Sequence, residues 1–432
     1  NVKLKFIAEI RDPVHGYIHI TDVEREIIDT SIFQRLRRIK QLAGANLTYA
    51  GAQHTRFEHS LGAMYLAGLA GSSLSSKIDV TDDDIQELRL SALLHDVGHG
   101  PFSHLFEEAL TEKRNITHED ISKRIIKETE IKDIIEKNGF DSNDISELAL
   151  GLSSKRPKFM NEIIAGGLSV DIMDYLLRDS YFTGVEYGRV DVHRLIDSFE
   201  IVDERLAIDQ AAIYAFEAFT IARYEMFKAV YFHKTVRAAQ AMLARSIILA
   251  DDELKLTDVS NLKNYLQLTD ELTLAKLIDL EPKSKELSGA KQLAIGYRDR
   301  KLIKCVFEKI VQREDRFIEK ILNQKSIRDK IAIEIAKEAD IDPDLVFFDV
   351  PTTPSVPYTS SRQSLSSITL VYKTMEGRHY EIIPIKKLAL VGAITGYMDI
   401  IRIYTQSEYR SRVEKAVETF FGREGYATKV SM

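Results

Sequence analysis

An apolar run that ends abruptly in a histidine and an aspartate is the feature that most constrains this chain. The run extends from Leu88 to Leu94 and is followed by His95-Asp96 and then by Gly98-His99-Gly100-Pro101. The apolar residues predict a buried helix, and the glycines and the proline predict its end and the start of another helix. A neutral imidazole and a carboxylate are costly to bury unless something compensates them, and a divalent metal ion would do so.

The His-Asp pair alone does not establish a metal site. Because the chain contains 11 histidines, finding one of them followed by aspartate is roughly an even bet by chance. A buried hydrogen bond between His95 and Asp96 is the alternative, and it needs no metal. Residues elsewhere in the chain have to distinguish the two interpretations.

The composition describes an ordinary globular protein and restricts its partners. The 432 residues, 44% of them hydrophobic and 29% charged, can bury a large core and are expected to form two structural units. A net charge of −7 argues against a general nucleic-acid binder, but not against a phosphorylated substrate held by a few arginines. A single cysteine, Cys305, permits no internal disulfide and favours a reducing cytoplasm. We recognise no signal peptide, and the late apolar stretch Leu388–Met398 is too short to span a bilayer, so we expect no membrane partner.

A second histidine-containing stretch supplies a candidate third ligand. Residues 51–62 contain Arg56 and His59, and we expect His59 to open a helix with Arg56 one turn before it. A lone histidine at such a position is more often structural. One helix away from His95-Asp96, however, it is a candidate metal ligand.

A third stretch, Leu168–Asp179, is predicted to be helical and is unusually rich in acids. Asp171, Tyr175 and Asp179 share one face at helical spacing. A solvated ladder of charges is the alternative for that face. The valine, isoleucine, methionine and leucine residues around it favour burial, and a buried Asp171 requires a partner.

The remaining pattern predicts a mainly α fold, with a helical core over residues 1–290 and a small α+β unit over residues 291–432. Helices are expected at Asp22–Leu42 (one helix or a pair), Asp82–His95, Phe102–Leu110, from Thr117 to about Leu152, at Ala211–Leu249, Arg328–Glu338 and Ser407–Phe421. Strands are expected at Lys3–Ile10, Tyr17–Ile20, Leu302–Phe307, Leu345–Phe348, Ile368–Tyr372, Tyr380–Ile385 and Ile400–Tyr404. A flexible loop rich in Pro, Ser and Thr is expected at 352–367.

Taken together, His59, His95-Asp96 and Asp171 form the H…HD…D pattern of the HD-domain metal phosphohydrolases. The runs DPVHGYI, FQRLRRIKQL, GAQHTRFEHSLG, LLHDVGHGPFSH and VDIMDYLLRDS resemble the deoxynucleoside-triphosphate triphosphohydrolase (dNTPase) group, which includes SAM- and HD-domain enzymes. The similarity is strong from about Asp12 to Lys234 and looser in the later part. It implies an HD-domain fold, one divalent metal ion (Mn, Fe, Zn, Ni or Mg), a dNTP substrate and a homodimer or homotetramer.

The resemblance also implies roles for individual residues of this sequence. His59, His95, Asp96 and Asp171 would bind the metal, and His99 and His118 would be catalytic, with Glu107 orienting one of them. The residues implied in substrate binding are Arg56 and His104 at the phosphates, Gln41 and Leu42 at the sugar, Tyr175 and Asp179 at the sugar or base, and Arg223 and Tyr231. An activating guanine nucleotide would meet Asp29, Gln34, Arg37 and Arg300.

Two positions depart from the pattern of the group. Ile172 stands where the animal enzyme has a phosphate-binding lysine, and Ala8 stands where an activator-binding lysine is expected. The expected function is hydrolysis of a (deoxy)nucleoside triphosphate to nucleoside and triphosphate. The alternatives are an HD phosphohydrolase acting on another phosphate ester, such as a nucleotide monophosphate or an alarmone, and a non-catalytic nucleotide sensor.

Overall fold

Helices dominate the structure, a computed structural model that describes residues 4–312, 324–350, 365–394 and 397–422. The helices are α1 Asp22–Ile28, α2 Ser31–Gln34, α3 Arg56–Ser75, α4 Asp82–Leu94, α5 His104–Arg114, α6 His118–Glu128, α7 Glu130–Lys137, α8 Ser142–Ala149, α9 Lys158–Ala165, α10 Val170–Thr183, α11 Val192–Asp197, α12 Ile213–Met226, α13 Lys234–Leu254, α14 Leu262–Gln267, α15 Asp270–Ile278, α16 Lys285–Arg298, α17 Lys325–Ala339, α18 Ala389–Ile394 and α19 Arg410–Phe421. The mainly α fold with a smaller carboxy-terminal α+β part is therefore confirmed.

Three of the helices that position the candidate site begin at capping boxes. In each, a threonine and an acid three residues later bond to each other's backbone amides; the pairs are Thr55 with Glu58, Thr81 with Asp84, and Thr117 with Asp120. These caps fix the first residues of α3, α4 and α6. His59 and His118 consequently lie in first helical turns, and His95 follows the last residue of α4.

Two predicted helix boundaries were wrong. Helix α3 begins at Arg56 and not at His59, because Thr55 is its cap, so Arg56 and His59 share one turn. The segment predicted over Asp22–Leu42 as one helix or a pair is a pair, α1 and α2, and it ends earlier than predicted, with a 3₁₀ turn at Arg35–Arg38 after α2. Within the long helical block, a π-helix at Phe227–Tyr231 separates α12 from α13.

Helix α3 lies at the centre of the helical part and packs against α4 and α10. Its residues Met64, Leu66 and Ala67 are fully buried, as are Leu93 and Leu94 at the end of α4. A helix that is apolar on most sides is buried in the core, and its few polar residues are then buried with it. The polar ends of these three helices therefore meet inside the protein.

The strands form three sheets in the described residues. The strands are β1 Phe6–Asp12, β2 Gly16–Thr21, β3 Phe199–Val202, β4 Arg205–Asp209, β5 Lys304–Gln312, β6 Phe347–Asp349, β7 Ser367–Thr374, β8 Gly377–Pro384 and β9 Tyr397–Thr405. Strands β1 and β2 form an antiparallel hairpin with Asp12 opposite Gly16. The other two sheets have the orders β3-β4-β7-β8 and β5-β9-β6.

The four-stranded sheet joins both halves of the chain. Strands β3 and β4 were not predicted, and β4 pairs in parallel with β7, with Ile208 opposite Leu370. The division at residue 290 stays a prediction, and this sheet crosses it. Most of the loop predicted at 352–367 lies outside the described residues. Among the helices that the structure describes, none is long and apolar enough to cross a bilayer.

Candidate metal centre and active site

The first turns of α3 and α10 and the carboxyl end of α4 bring two histidines and two aspartates together. The Asp171 Oδ1 atom lies 3.1 Å from His59 Nε2 and 3.4 Å from His95 Nε2. The Asp96 carboxylate lies 3.5 Å from His59 Nε2 and 3.3 Å from His95 Nε2. His59, His95 and Asp96 are buried, whereas 16% of the Asp171 side chain is exposed. Four side chains that are far apart in the sequence thus share one site.

The two imidazoles are oriented as metal ligands. Nδ1 of His59 lies 2.7 Å from Asp174 Oδ2, and Nδ1 of His95 lies 2.6 Å from the Ala92 carbonyl oxygen. Both acceptors require a proton on Nδ1, which leaves a lone pair on each Nε2 in the neutral ring. Neither Nε2 makes a hydrogen bond of normal geometry, although both are buried. Two such nitrogens beside two carboxylates fit a divalent transition metal ion.

The charges around the centre also favour a cation. Burial alone would lower the pKa of His59, but Asp171 and Asp174 outweigh it and raise that pKa to about 10. Burial likewise opposes ionisation of Asp96, yet His95 and Arg56 hold its pKa well below the usual range. The site therefore stabilises positive charge at the two imidazoles, where a metal ion or a proton can supply it.

A buried ionic network orients His59 from behind, and it was not predicted from the sequence. Asp174 Oδ2 accepts a hydrogen bond from Arg178 Nε at 2.9 Å, and its Oδ1 lies 2.6 Å from His15 Nε2. Arg178 Nη1 in turn donates to Asp12 at 2.7 Å. The signals that could have found this network are the DPVHGYI run, which contains Asp12 and His15, and the four-residue spacing of Asp174 and Arg178.

The predicted catalytic histidines form a stack beside the candidate metal ligands. The rings of His99 and His118 lie 3.8 Å apart at an angle of 13°. His118 Nδ1 is 2.8 Å from Glu107 Oε2, and His99 Nε2 is 3.3 Å from Asp96 Oδ1. Burial lowers the pKa of His118, but the attraction of Glu107 outweighs it and raises that pKa to about 9. Burial and the Arg56 charge lower the pKa of His99. The surroundings thus favour the protonated form of His118 and the neutral form of His99, whose rings lie face to face.

The two residues predicted at the phosphates lie next to these groups. Arg56 Nη1 donates to Asp96 at 2.6 Å, and its Nε donates to Ser103 Oγ at 2.9 Å. The His104 ring lies 5.0 Å from the His99 ring in an edge-to-face arrangement. Arg56 therefore adds positive charge beside the candidate ligand Asp96, and His104 adds a third imidazole to the pair formed by His99 and His118.

A small cavity brings together residues from the predicted sugar site. It is lined in part by Gln41, Leu42, His104 and Tyr231. Gln41 is buried, and neither its Oε1 nor its Nε2 has a hydrogen-bond partner in the described structure. An unsatisfied buried amide is costly, so this side chain is available for the polar groups of a ligand.

The other predicted substrate residues lie near one another; Tyr175, Asp179 and Tyr231 are buried and Arg223 is half-buried. Tyr231 Oη donates to Asp179 Oδ2 at 2.6 Å, and the other oxygen of Asp179 lies 2.6 Å from His54 Nε2, a residue that was not predicted. The rings of Tyr175 and Tyr231 lie 6.0 Å apart. The Arg223 guanidinium faces the Tyr175 hydroxyl and opposes the burial that raises the pKa of that phenol. Asp179 is therefore in place to hold Tyr231.

Three of the predicted activator residues lie close together in the sequence and near the surface. Asp29 and Arg37 are exposed, and Arg37 donates from Nε to Gln34 Oε1 at 2.8 Å while covering the Phe57 ring. Arg300 donates instead to the Leu47 carbonyl oxygen at 2.7 Å. The activator site, like the roles of all the predicted site residues, stays a prediction.

Comparison with known families agrees with this geometry. Residues 56–179 match the HD domain, and residues 190–431 match the HD associated region. The first match contains all four candidate metal ligands, and the second covers more than half of the chain. The chain therefore belongs to the HD-domain phosphohydrolase family.

Individual relatives support the same conclusion. The chain is 39% identical to an uncharacterized protein of Methanocaldococcus jannaschii over 59% of its own length and 52% of that protein. It is 33% identical to the deoxynucleoside triphosphate triphosphohydrolase SAMHD1 homolog of Dictyostelium discoideum, over 71% of the chain and 61% of that protein. It thus spans less than two thirds of these relatives. The crystal structure of a phosphohydrolase from Bacteroides thetaiotaomicron is similar with a TM-score of 0.72 and 27% identity, covering 92% of this chain and 99% of that one.

Proposed function

We propose that this chain is a metal-dependent phosphohydrolase that cleaves deoxynucleoside triphosphates to nucleoside and tripolyphosphate. The observation that carries the proposal is the convergence of His59, His95, Asp96 and Asp171, with both Nε2 atoms aimed into the site. The name of the Dictyostelium relative supports the choice of substrate. A guanine nucleotide as activator and a homodimer or homotetramer are parts of the same proposal.

The metal ion would be held by His59, His95, Asp96 and Asp171. A divalent cation in such a site draws charge from phosphate oxygens and makes water a stronger acid. Arg56 holds Asp96 in place through Nη1 and adds fixed positive charge where a phosphate would lie. Because Arg56 is itself buried, its charge acts in a weakly screened environment.

Proton transfer in the proposed reaction belongs to His118. Its Nδ1 is bonded to Glu107, so Nε2 is the ring atom that can exchange a proton with the substrate. Glu107 keeps the ring oriented and stabilises its protonated form. His99 stacks on His118 and limits the positions that this ring can adopt.

The residues that line the small cavity beside these groups support contacts to the sugar of a nucleotide. Gln41 presents an unsatisfied amide, which can hydrogen-bond to a hydroxyl group, and Leu42 presents an apolar surface. Tyr231, whose hydroxyl donates to Asp179, lines the same cavity. A small apolar surface next to a polar group favours a sugar that lacks one hydroxyl.

The test is a product analysis over dNTPs, NTPs and nucleoside monophosphates with Mn²⁺, Mg²⁺ and GTP varied. Tripolyphosphate and free nucleoside are expected from at least one dNTP, and His118→Ala should lower the rate by about 10²-fold or more. An exposed control, His193→Ala, should leave the rate unchanged. Metal-loaded protein that releases no tripolyphosphate under any of these conditions would refute the proposed reaction.

One observation favours a second candidate, hydrolysis of a phosphate ester with fewer phosphates. Ile172 follows the metal-binding position Asp171 and is fully buried, so it contributes no charge toward a triphosphate. The same product analysis separates the candidates. Orthophosphate or pyrophosphate as the only phosphorus product would establish the second one.

A further inference from the structure

A buried carboxylate outside the candidate metal centre joins two of the loops that form it. Asp270 is the first residue of α15, and it is 2% exposed. Its Oδ2 accepts a hydrogen bond from the Lys40 backbone N–H at 2.9 Å, and its Oδ1 accepts one from the Phe102 backbone N–H at 2.7 Å. Each oxygen of one carboxylate therefore holds a different loop.

Both loops lead directly into the candidate substrate pocket. Lys40 precedes Gln41 and Leu42, and Phe102 precedes Ser103 and His104. A further hydrogen bond joins the two loops directly, because Ser103 Oγ donates to the Lys40 carbonyl oxygen at 2.6 Å. The Lys40 backbone N–H is thus connected to the loop before His104 through the Asp270 carboxylate, and the Lys40 C=O is connected to the same loop directly.

The loop before His104 needs such support. Phe102 and Ser103 have φ angles of +59° and +55°, in the left-handed region that residues with a side chain rarely adopt. Conformations of this kind persist only where the surrounding structure enforces them. The hydrogen bond from the Phe102 backbone N–H to Asp270 lies in this strained segment.

We propose that Asp270 is a positioning residue that sets the spacing between Gln41 and His104 across the substrate pocket. The proposal rests on the proposed function, because that function makes these two residues substrate contacts. Asp270 itself touches neither the candidate metal ligands nor the cavity, so it acts through the two loops.

The electrostatics agree with this role. Burial raises the pKa of the Asp270 carboxyl to about 6, although the amides of Lys40 and Phe102 and the charges of Lys40 and Arg35 oppose that rise. The Tyr297 hydroxyl of α16 also lies near the Asp270 carboxyl, and Glu271 follows Asp270 in the same helix. Only the ionised carboxylate can accept from both amides with full strength, so protonation near pH 6 should change the spacing of the two loops while the fold stays intact.

The kinetic test uses Asp270→Asn, with Asp251→Asn as a matched control. Asp251 is equally buried and accepts from the Thr257 backbone N–H at 2.7 Å, in a turn outside the site. Asp270→Asn is expected to raise KM for the nucleotide about tenfold, with kcat changed less than about threefold, and to remove an acid limb near pH 6 from kcat/KM. Asp251→Asn should change neither. Equal KM values and pH profiles in wild type and Asp270→Asn, or an equal rise of KM in both variants, would overturn the proposal.

Backbone hydrogen exchange gives a readout that needs no activity. Asp270→Asn should speed exchange in peptides that cover residues 39–42 and 100–104, and Asp251→Asn should do so only around Thr257. If Asp270→Asn does not fold, Asp270→Glu keeps the charge, moves the carboxylate by one methylene and should show the same two changes. Unchanged exchange at both loops overturns the proposal, as does faster exchange without any change in KM. If the wild-type protein releases no tripolyphosphate, the proposed function fails, while exchange still decides whether Asp270 holds the two loops.

Discussion

Among single side chains, Asp174 links the candidate metal centre to the amino-terminal hairpin. Its carboxylate meets His59 on one side and Arg178 and His15 on the other. A carboxylate that accepts from the distal nitrogen of a liganding histidine fixes the tautomer of the ring and strengthens it as a donor. We therefore expect the metal affinity of the candidate site to depend on Asp174, which is not one of the four candidate ligands.

Replacing Asp174 with Asn is expected to weaken metal binding by about 10- to 100-fold, because the His59 ring loses its charged partner. The affinity is measured by competition with a metal-binding dye, and the folded fraction is monitored by circular dichroism. Asp252→Asn, whose side chain is 91% exposed, is the control and should bind the metal like wild type. A folded Asp174→Asn protein with unchanged affinity would contradict the prediction.

The Asp270 carboxyl also predicts a pH dependence of stability. Its folded pKa of about 6 lies above its ordinary value of 3.8, so the folded state binds the proton more tightly than the unfolded state. The resulting stabilisation is present below about pH 4 and is lost as the pH rises through 6. Relative to Asp270→Asn, the wild-type protein should lose up to about 3 kcal/mol between pH 4 and pH 7. Thermal melting of both proteins across this range measures the difference, and parallel curves would contradict the prediction.

Some single residues of the candidate site could be predicted from the sequence, and others could not. His59, His95 and Asp96 occur in histidine-rich runs, and such runs in a helical context indicate metal chemistry. For Asp174 the sequence gave only an ambiguous signal, because its four-residue spacing from Arg178 is equally typical of a solvated helix surface. Asp270 gave none, since its two partners are backbone amides far away in the sequence.

At the scale of helices, the close approach of α3 and α10 places His59 next to Asp171. A glycine, Gly62, lies at the contact, and a Cβ atom there would overlap the Asp174 carboxylate and approach Arg178 Nη2 to 2.6 Å. Both side chains are buried and fixed by their mutual bonds, so neither can move away cheaply. The absence of a side chain at position 62 is therefore a condition for the four ligands to meet.

Gly62→Ala is expected to destabilise the protein by about 2 kcal/mol or more, because it overpacks this contact, and to lower the bound metal per chain. Gly289→Ala in α16 is the matched control, since its Cβ would meet only Leu249 at 3.8 Å. Removing a helical glycine there should stabilise the protein by about 0.5–1 kcal/mol. Thermal melting and metal analysis of both variants decide the matter. Equal behaviour of the two would show that the α3–α10 contact is not tight.

The starts of helices α4 and α6 were predicted, whereas strands β3 and β4 were not, for a physical reason. Threonine and aspartate caps mark the starts of α4 and α6, and apolar spacing marks their buried sides. Strands β3 and β4 are joined by Asp203 and Glu204, which both have positive φ angles of 50° and 62°. Such two-residue turns are recognised from the sequence by Asn-Gly or Asp-Gly, and Asp-Glu gives no comparable signal.

At the scale of the whole molecule, the carboxy-terminal strands are joined to the helical part in two places. Leu370 and Ile368 pack in the same core as Phe199 and Ile208, through the four-stranded sheet. On the other sheet, Arg402 of β9 donates from Nη1 to the Phe232 carbonyl oxygen at 2.5 Å, one residue after Tyr231. The later part of the chain therefore completes the core next to the substrate pocket.

A fragment that ends at residue 290 is expected to expose this core. It lacks β7, so β4 loses its parallel partner and the apolar side chains around Ile208 face solvent. We expect the fragment to bind the dye ANS and to melt at a lower temperature and less cooperatively than the full chain. A fragment that melts as cooperatively as the full chain and binds no dye would show that residues 1–290 are an independent domain.

The bond between Arg178 and Asp12 has a consequence for the order of assembly. Asp12 ends the first strand of the hairpin and Arg178 lies in α10, so 166 residues separate the partners that support Asp174 and, through it, His59. A growing polypeptide cannot close this connection until α10 has emerged and the hairpin has docked onto it. We therefore expect tight metal binding to be a late event during synthesis, so that metal content would report that this network has assembled.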